Sequence, residues 1–133
     1  MLADAKAAGA NVVDLEEDGV IDMATRRMPL SLIIDPSADL AVSKEEIFGP
    51  ILPILSYDAI EDAVAHVNAD ERPLALYIFS EDDEQIDWVV KNTKSGGTTV
   101  NACALQGAMP SLGFGGIGNS GMCVFFPFLS LFR

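Results

Sequence analysis

Residues 74–102, LALYIFSEDDEQIDWVVKNTKSGGTTVNA, alternate between strand and helix signals more clearly than any other part of the chain. Residues 74–79 are almost all apolar, which predicts a strand buried on both faces. Ser80 and the three acidic residues after it predict a helix start, because negative charge is favourable near a helix N-terminus. Gly96 and Gly97 end that helix, and a β-branched run follows them. Strand, helix and strand in this order predict a parallel pair.

The residues before this stretch continue the alternation. Pro53 lies in an apolar run, residues 51–57, and predicts an edge or irregular strand because proline lacks a backbone N–H group. Asp58 and Glu61 match the capping pattern of a helix N-terminus. The apolar stripes of the two expected helices are Ile60, Ala63, Val64 and Val67 in the first, and Ile86, Val89 and Val90 in the second. We therefore expect an α/β fold, a mainly parallel sheet with right-handed crossovers and flanking helices.

The first third of the chain predicts one further helix and two strands. Residues 2–8 are helix formers that Gly9 ends, and the short β-branched run at residues 11–15 predicts a strand. A charged and irregular connection follows, before an apolar run at residues 30–34 predicts the second strand.

Composition excludes several classes of function. The chain has 133 residues, long enough for one domain, and 20 acidic against 8 basic residues give a formal net charge of −12. Such acidity repels a phosphate backbone, so we expect no nucleic-acid partner. The start of the chain has no basic leader, and its apolar end is too short and too interrupted by proline to span a membrane. We expect a soluble, cytoplasmic protein.

The residues most often used in catalysis and metal binding are scarce. His66 is the only histidine, and its position off the apolar stripe predicts a solvated side chain. Cys103 and Cys123 lack C-x-x-C spacing and have no histidine or acidic cluster beside them. We therefore expect neither a metal site nor a disulfide, and no nucleophile activated by the histidine.

Residues 113–118 contain the spacing G-x-G-x-x-G that marks many dinucleotide-binding loops. That function requires a strand before the loop, a helix after it and an acidic residue about twenty positions later. Pro110 fits no central strand, and no acidic residue follows the loop. These glycines are better explained by backbone turns than by phosphate binding.

Glu46 and Phe48 form the strongest candidate site. If the chain is extended before Gly49 and Pro50, the two side chains project to the same side, because side chains alternate in a strand. A carboxylate can accept hydrogen bonds from two ribose hydroxyls, and an aromatic ring packs on a flat heterocycle. The alternative is a solvated glutamate beside a core phenylalanine.

Four motifs, in order and spacing, resemble the C-terminal part of the catalytic domain of aldehyde dehydrogenases, with most likeness to the fatty-aldehyde and coniferyl-aldehyde branch. The motifs are KEEIFGPILPIL (44–55), ERPLALYIFS (71–80), SGGTTVNA (95–102) and FGGIGNSGM (114–122). Residues 1–122 resemble the partial catalytic domain, whereas residues 123–133 form an apolar tail that does not fit it.

The resemblance implies roles for five residues. Glu46 corresponds to the glutamate that holds the nicotinamide ribose hydroxyls, and Phe48 to the phenylalanine that packs near the nicotinamide. Phe114 corresponds to a residue of the aldehyde tunnel, as do Cys103 and Leu105 within the more loosely matched residues 103–106. The implied cofactor is NAD or NADP and the implied substrate an aldehyde, with a homodimer only in the complete enzyme.

The departures from the family concern the loop and the catalytic machinery. Gly113 and Cys123 stand where the family has proline and glycine, so the path of the glycine-rich loop is open. The nucleophilic cysteine after a G-Q motif, the general-base glutamate and most of the cofactor domain should precede residue 1. Neither cysteine of this chain lies in that motif. We expect no catalytic residue here and no turnover from this chain alone.

Three hypotheses remain for the function of the chain. The first is a piece of an NAD(P)-dependent aldehyde dehydrogenase. The second is a non-catalytic remnant that binds a protein partner through residues 124–133. The third, an acidic α/β binding domain unrelated to dehydrogenases, requires four accidental motif matches.

Overall fold

A computed structural model describes residues 1–16, 20–109, 112–121 and 124–125 of the chain, with the backbone alone at Phe114, Val124 and Phe125. The fold is α/β, as the sequence predicts, and it forms two compact units that meet in sequence between Ser56 and Tyr57. The boundary expected at residue 122, Cys123 and nearly all of the apolar tail lie outside the described residues. No helix among the described residues has the length and apolar composition needed to cross a bilayer.

The first unit is a three-stranded sheet with two short helices. Its elements are α1 (Leu2–Ala7), β1 (Asn11–Asp14), β2 (Ser31–Ile34), α2 (Ala41–Lys44) and β3 (Ile51–Ile54). The strand order is β1-β2-β3, with β1 antiparallel and β3 parallel to β2. The strand that contains Pro53 is thus an edge strand, as predicted. Ala5, Ile33 and Val42 form the buried core.

The second unit contains two helices over a parallel strand pair, followed by shorter elements. They are α3 (Ile60–Ala69), β4 (Ala75–Ile78), α4 (Asp83–Asn92), β5 (Gly97–Val100), α5 (Leu105–Ala108), β6 (Phe114–Gly115), a 3-10 turn (Gly118–Ser120) and β7 (Val124–Phe125). β4 and β5 are parallel, and β6 and β7 are antiparallel. Val64, Ile78 and Val89 form its buried core.

The sheets are smaller and more mixed than the single, mainly parallel sheet that the element order suggests. The described strands form two parallel and two antiparallel pairs, divided among three small sheets. The expectation of a strand buried on both faces was wrong for residues 74–79, where Tyr77 and Phe79 are exposed. Among the described residues β4 pairs with β5 alone, and this one partner leaves part of the apolar run uncovered.

Three local expectations were wrong by a few residues. The first residue before α3 is Ala59 rather than Asp58, and Asp62 accepts a hydrogen bond from its backbone N–H group. Asp82 caps α4 in place of Ser80 because its carboxylate accepts from two N–H groups of the first turn. On α4, Ile86 and Val89 contact the core as predicted, but Trp88 is the third contact and Val90 is exposed. His66 is exposed, as predicted.

Candidate functional site

Residues 45–50, which we call the cofactor-side segment, connect α2 to β3 without regular structure. Glu45 is extended, Glu46 is exposed, and Ile47 packs against the core of the first unit. Phe48 is 93% exposed, so its ring is not a core residue of the unit. The segment therefore displays a carboxylate and an aromatic ring on either side of one apolar anchor.

Phe48 also has an unusual backbone conformation, with φ at +43°. In this left-handed region the Cβ atom crowds the carbonyl oxygen, which costs about 1–2 kcal/mol for a residue other than glycine. The alternation argument for Glu46 and Phe48 was wrong in its premise, because the chain is not extended at Phe48 and alternation applies only to extended chain. The roles of the two residues stay predictions.

Two carboxylates stabilise the sheet that supports this segment. Asp35, also left-handed with φ at +44°, accepts hydrogen bonds from the backbone N–H and the hydroxyl of Ser56 at 2.6 and 2.8 Å. These hydrogen bonds lower the pKa of Asp35 below its usual range. They join the end of β2 to the residues that follow β3.

The second carboxylate, Asp14, lies on the other side of β2. It accepts hydrogen bonds from Lys6 at 2.9 Å and from the fully buried Ser31 at 2.6 Å. The ammonium of Lys6, followed by the hydroxyl of Ser31, holds the pKa of Asp14 below its usual range. The middle strand is thereby fixed to α1 and β1.

Residues 101–109, which we call the substrate-side segment, lead from β5 into and just beyond α5. Cys103 is exposed with a free thiol, and Leu105 is 55% exposed. Two residues of the segment, Asn101 and Ala104, are left-handed with φ at +53° and +59°. Asn101 is held by Ser80, whose N–H donates to the side-chain oxygen and whose carbonyl accepts from the amide nitrogen.

Gln106 joins the substrate-side segment to both strands of the β4–β5 pair. The hydroxyl of Thr99 on β5 donates to its side-chain oxygen at 2.8 Å. Its amide nitrogen donates to the phenolic oxygen of Tyr77 on β4 at 3.2 Å. The sequence did not predict these bonds, because Tyr77 lies 29 residues away from Gln106 along the chain.

The first glycine of the SGG motif, Gly96, lies against the FGG motif and the end of the α3–β4 connection. A Cβ atom at Gly96 would stand 2.5 Å from the carbonyl oxygen of Gly115 and 2.6 Å from that of Leu74. Only glycine fits there, because both neighbours are backbone atoms. The close approach brings three of the four motifs together, because Leu74 belongs to the ERPLALYIFS motif.

Glycines in the following loop serve turns, as the sequence predicts. Gly118 and Gly121 have φ at +62° and +144°, and a 3-10 turn, not a full helix, follows β6. Asn119 donates a hydrogen bond of 2.5 Å to Glu71 and so ties this loop to the α3–β4 connection. The backbone of Phe114 lies in β6, but its side chain is outside the described part of the structure.

The predicted site residues divide between the two units. Glu46 and Phe48 belong to the first unit, and Cys103, Leu105 and Phe114 to the second. Within the described ranges, no three His, Cys, Asp or Glu side chains gather as a metal site requires.

Comparison with known proteins places these elements in a wider group. The model of the aldehyde dehydrogenase family matches residues 1–125. A probable coniferyl aldehyde dehydrogenase of Caulobacter vibrioides is 46% identical over 121 residues, which are 90% of this chain and 25% of that protein. A dimeric NADP-preferring aldehyde dehydrogenase of the dog is 42% identical over 78% of this chain and 23% of its own length.

Among solved structures, the substrate-bound state of Staphylococcus aureus AldH matches with a TM-score of 0.85 and 36% identity. The match covers 96% of this chain and 27% of that one. The chain thus spans about a quarter of the length of the relatives it matches.

Proposed function

Because the chain belongs to the aldehyde dehydrogenase family, we propose that it is the part of an NAD(P)-dependent aldehyde dehydrogenase that contacts the nicotinamide ribose and lines part of the aldehyde tunnel. The proposal assigns Glu46 and Phe48 to the cofactor. It assigns Cys103, Leu105 and Phe114 to the aldehyde.

The observation that carries this proposal is the state of Phe48. A phenylalanine with φ at +43° and 93% of its side chain exposed gains nothing from burial to offset its backbone strain. Strain that the surrounding fold does not explain is concentrated at ligand sites, where it holds a group in position. An aromatic ring held out in this way is suited to pack against a flat heterocycle such as nicotinamide.

Glu46 supplies the polar half of the proposed contact. It lies two residues before Phe48 and is exposed. An ionised carboxylate accepts hydrogen bonds from two adjacent hydroxyls, which fixes the orientation of a ribose. When bound, NAD(P)+ would supply the hydride acceptor, and Glu46 and Phe48 would bind and orient its nicotinamide end.

The aldehyde side of the proposal rests on the substrate-side segment. Leu105 presents an apolar side chain to solvent at the start of α5, and Cys103 presents a small one just before it. The similarity to coniferyl aldehyde dehydrogenases supports an aromatic aldehyde of the coniferyl type as the first substrate to assay. A cofactor of either kind, NAD or NADP, is consistent with the family.

The covalent chemistry belongs, in this proposal, to the three-quarters of the relatives that the chain does not match. The resemblance places the cysteine nucleophile and the general base there. Cys103 lies in a different motif, with no basic side chain hydrogen-bonded to it in the described structure. We therefore propose that the chain does not oxidise aldehydes by itself.

The test uses a chimera in which residues 1–122 of this chain replace the matching quarter of the Caulobacter vibrioides relative. Glu46→Gln should lower the rate of hydride transfer or raise the KM for NAD(P) by at least about tenfold, because a hydrogen bond to a charged group contributes about 1.5 kcal/mol. Stopped-flow absorbance of NAD(P)H measures the rate, and a thiol-reactive probe should label the nucleophilic cysteine as fast as in the parent chimera.

Glu45→Gln is the matched control, since it removes the same charge from the neighbouring exposed residue. It should leave both constants at their parent values. Equal kinetics for Glu46→Gln and the parent chimera would remove Glu46 from the cofactor site.

A further inference from the structure

Gln106 lies over a cross-strand pair of the β4–β5 sheet. Tyr77 and Thr99 are directly opposite each other in the register of the two strands, so their side chains stand on the same face. The amide of Gln106 joins both, at 3.2 Å and 2.8 Å, with its two polar atoms each making one bond. Its stem passes above Gly97, where a Cβ atom would lie 3.5 Å from Cγ of Gln106.

In the part of the chain that the structure describes, few features besides Gln106 hold the helix that carries it. α5 has four residues, which is too few for a stable isolated helix, and one of them is a glycine. No side chain caps its N-terminus, and the residue before it is left-handed. Of its four residues only Gln106 is not exposed. The position of α5 therefore depends on the two hydrogen bonds of Gln106.

We propose that Gln106 is a positioning residue, which anchors α5 on Thr99 and Tyr77 and so sets the placement of Leu105 and Cys103 toward the aldehyde. This inference rests on the proposed function and deepens it. Successive helical side chains point about 100° apart, so holding Gln106 against the sheet turns Leu105 away from it. Gln106 acts on the aldehyde through its neighbours and has no part in hydride transfer.

The first experiment tests the anchoring in the chain itself. Gln106→Leu removes both hydrogen bonds at similar size, and the backbone order parameters of residues 105–108, from NMR relaxation, should fall from about 0.85 to below about 0.6. Gln106→Glu should keep the parent values, because its carboxylate can accept from both hydroxyls. Unchanged order parameters in Gln106→Leu would overturn the anchoring.

Thr98→Val is the matched control for this experiment. Thr98 also lies on β5, and its hydroxyl is hydrogen-bonded to that of Ser95 at 2.9 Å. Its side chain is on the face of β5 opposite to Thr99. The substitution should leave α5 ordered. Loss of order in α5 with Thr98→Val would mean that any weakened contact in β5 loosens the helix, which contradicts a specific role for Gln106.

The second experiment measures the consequence in the chimera. Gln106→Leu should raise the KM for the aldehyde by about tenfold, equivalent to about 1.4 kcal/mol. The KM for NAD(P) and the rate at saturating aldehyde should stay at the parent values, and Gln106→Glu should restore the aldehyde KM. Thr99→Val removes one of the two hydrogen bonds and should raise the aldehyde KM by a smaller factor. It replaces Gln106→Leu as the test variant if Gln106→Leu does not fold.

The two proposals fail in different ways. A parent chimera without aldehyde oxidation would refute the proposed function and with it the substrate role of Gln106, while the order parameters would still decide the anchoring. An active chimera in which Gln106→Leu and Thr99→Val keep the parent aldehyde KM would refute only the positioning role. A uniform fall in rate with unchanged aldehyde KM would also refute it.

Discussion

The cofactor-side and substrate-side segments both contain a strained residue beside predicted site residues, but they are held very differently. In the substrate-side segment, Asn101 is bonded twice to Ser80, and the helix after Ala104 is anchored by Gln106. In the cofactor-side segment, no described side-chain hydrogen bond involves residues 45–50, and Ile47 alone packs inward. The first arrangement fixes the position of the substrate-side segment, whereas the second leaves the side chains of Glu46 and Phe48 exposed.

A glycine-to-alanine substitution should accordingly cost much more stability in the SGG motif, which precedes the substrate-side segment, than in the cofactor-side segment. Gly96→Ala should destabilise the chain by about 3 kcal/mol, because the new Cβ atom would meet two backbone carbonyl oxygens that cannot move aside. Gly49→Ala, in the cofactor-side segment, should change stability by less than about 0.5 kcal/mol, since its Cβ atom would have one neighbour at 3.6 Å. Urea unfolding followed by circular dichroism measures both.

Equal losses for the two variants would break the comparison. They would mean that the cofactor-side segment is packed as tightly as the SGG motif. A small loss for Gly96→Ala would show instead that the SGG and FGG motifs can separate without cost.

The second prediction concerns the strain at Phe48. Phe48→Gly should be more stable than Phe48→Ala by about 1 kcal/mol, because glycine has no Cβ atom to crowd the carbonyl oxygen at a left-handed φ. The exposed ring contributes little burial, so both variants should fold. Urea denaturation midpoints of the two variants give the difference directly.

A control at Ile47 separates strain from packing. Ile47→Ala should lower stability because this side chain contacts the core of the first unit. If Phe48→Ala lost as much as Ile47→Ala, the ring would be supporting the fold and the argument from strain would fail.

The sequence predicted those features that depend on neighbours in the chain. Gly9 ends α1 with φ at +76°, and Pro53 lies on an edge strand, because both effects arise from the backbone of the residue itself. The capping residue of α4 was not predicted correctly. Ser80 and Asp82 are both residue types that cap helices, and the three-dimensional structure decides which of them reaches the N–H groups of the first turn. The hydroxyl of Ser80 accepts from Asp82, and Asp82 caps the helix.

Contacts between residues that are distant along the chain could not be predicted from the sequence. The two glycines at 96 and 97 predict a helix stop, yet Gly96 is required by a contact with a loop almost twenty residues later. Gln106 looks like an ordinary polar residue of a loop until Thr99 and Tyr77 are placed beneath it. Glu46 and Phe48 were found through a motif, and the alternation proposed for them did not foresee the turn at Phe48.

The smallest expected effect is a pH dependence of stability that arises at Asp35 and not at Phe48. The two residues belong to the first unit and have nearly equal left-handed φ. Hydrogen bonds from Ser56 lower the pKa of Asp35 in the folded chain, so folding favours the ionised carboxylate. The resulting stability is complete above the unfolded pKa, about 3.9, and is lost as the pH falls through the lower folded value. The thermal midpoint of the chain should therefore fall below about pH 4.

Asp35→Asn should make that fall shallower, because asparagine keeps the acceptor and tolerates a left-handed φ but does not titrate. The lowered pKa values of Asp14 and Asp22 should preserve part of the slope. Asp58→Asn, at an exposed carboxylate of the second unit, serves as the charge control and should follow the parent curve. If Asp35→Asn also followed the parent curve, the hydrogen bonds from Ser56 would not stabilise Asp35. The backbone strain at Asp35 would then be as unexplained as that at Phe48. Exposure of the aromatic ring would then be the one remaining difference on which the proposed ligand contact of Phe48 rests.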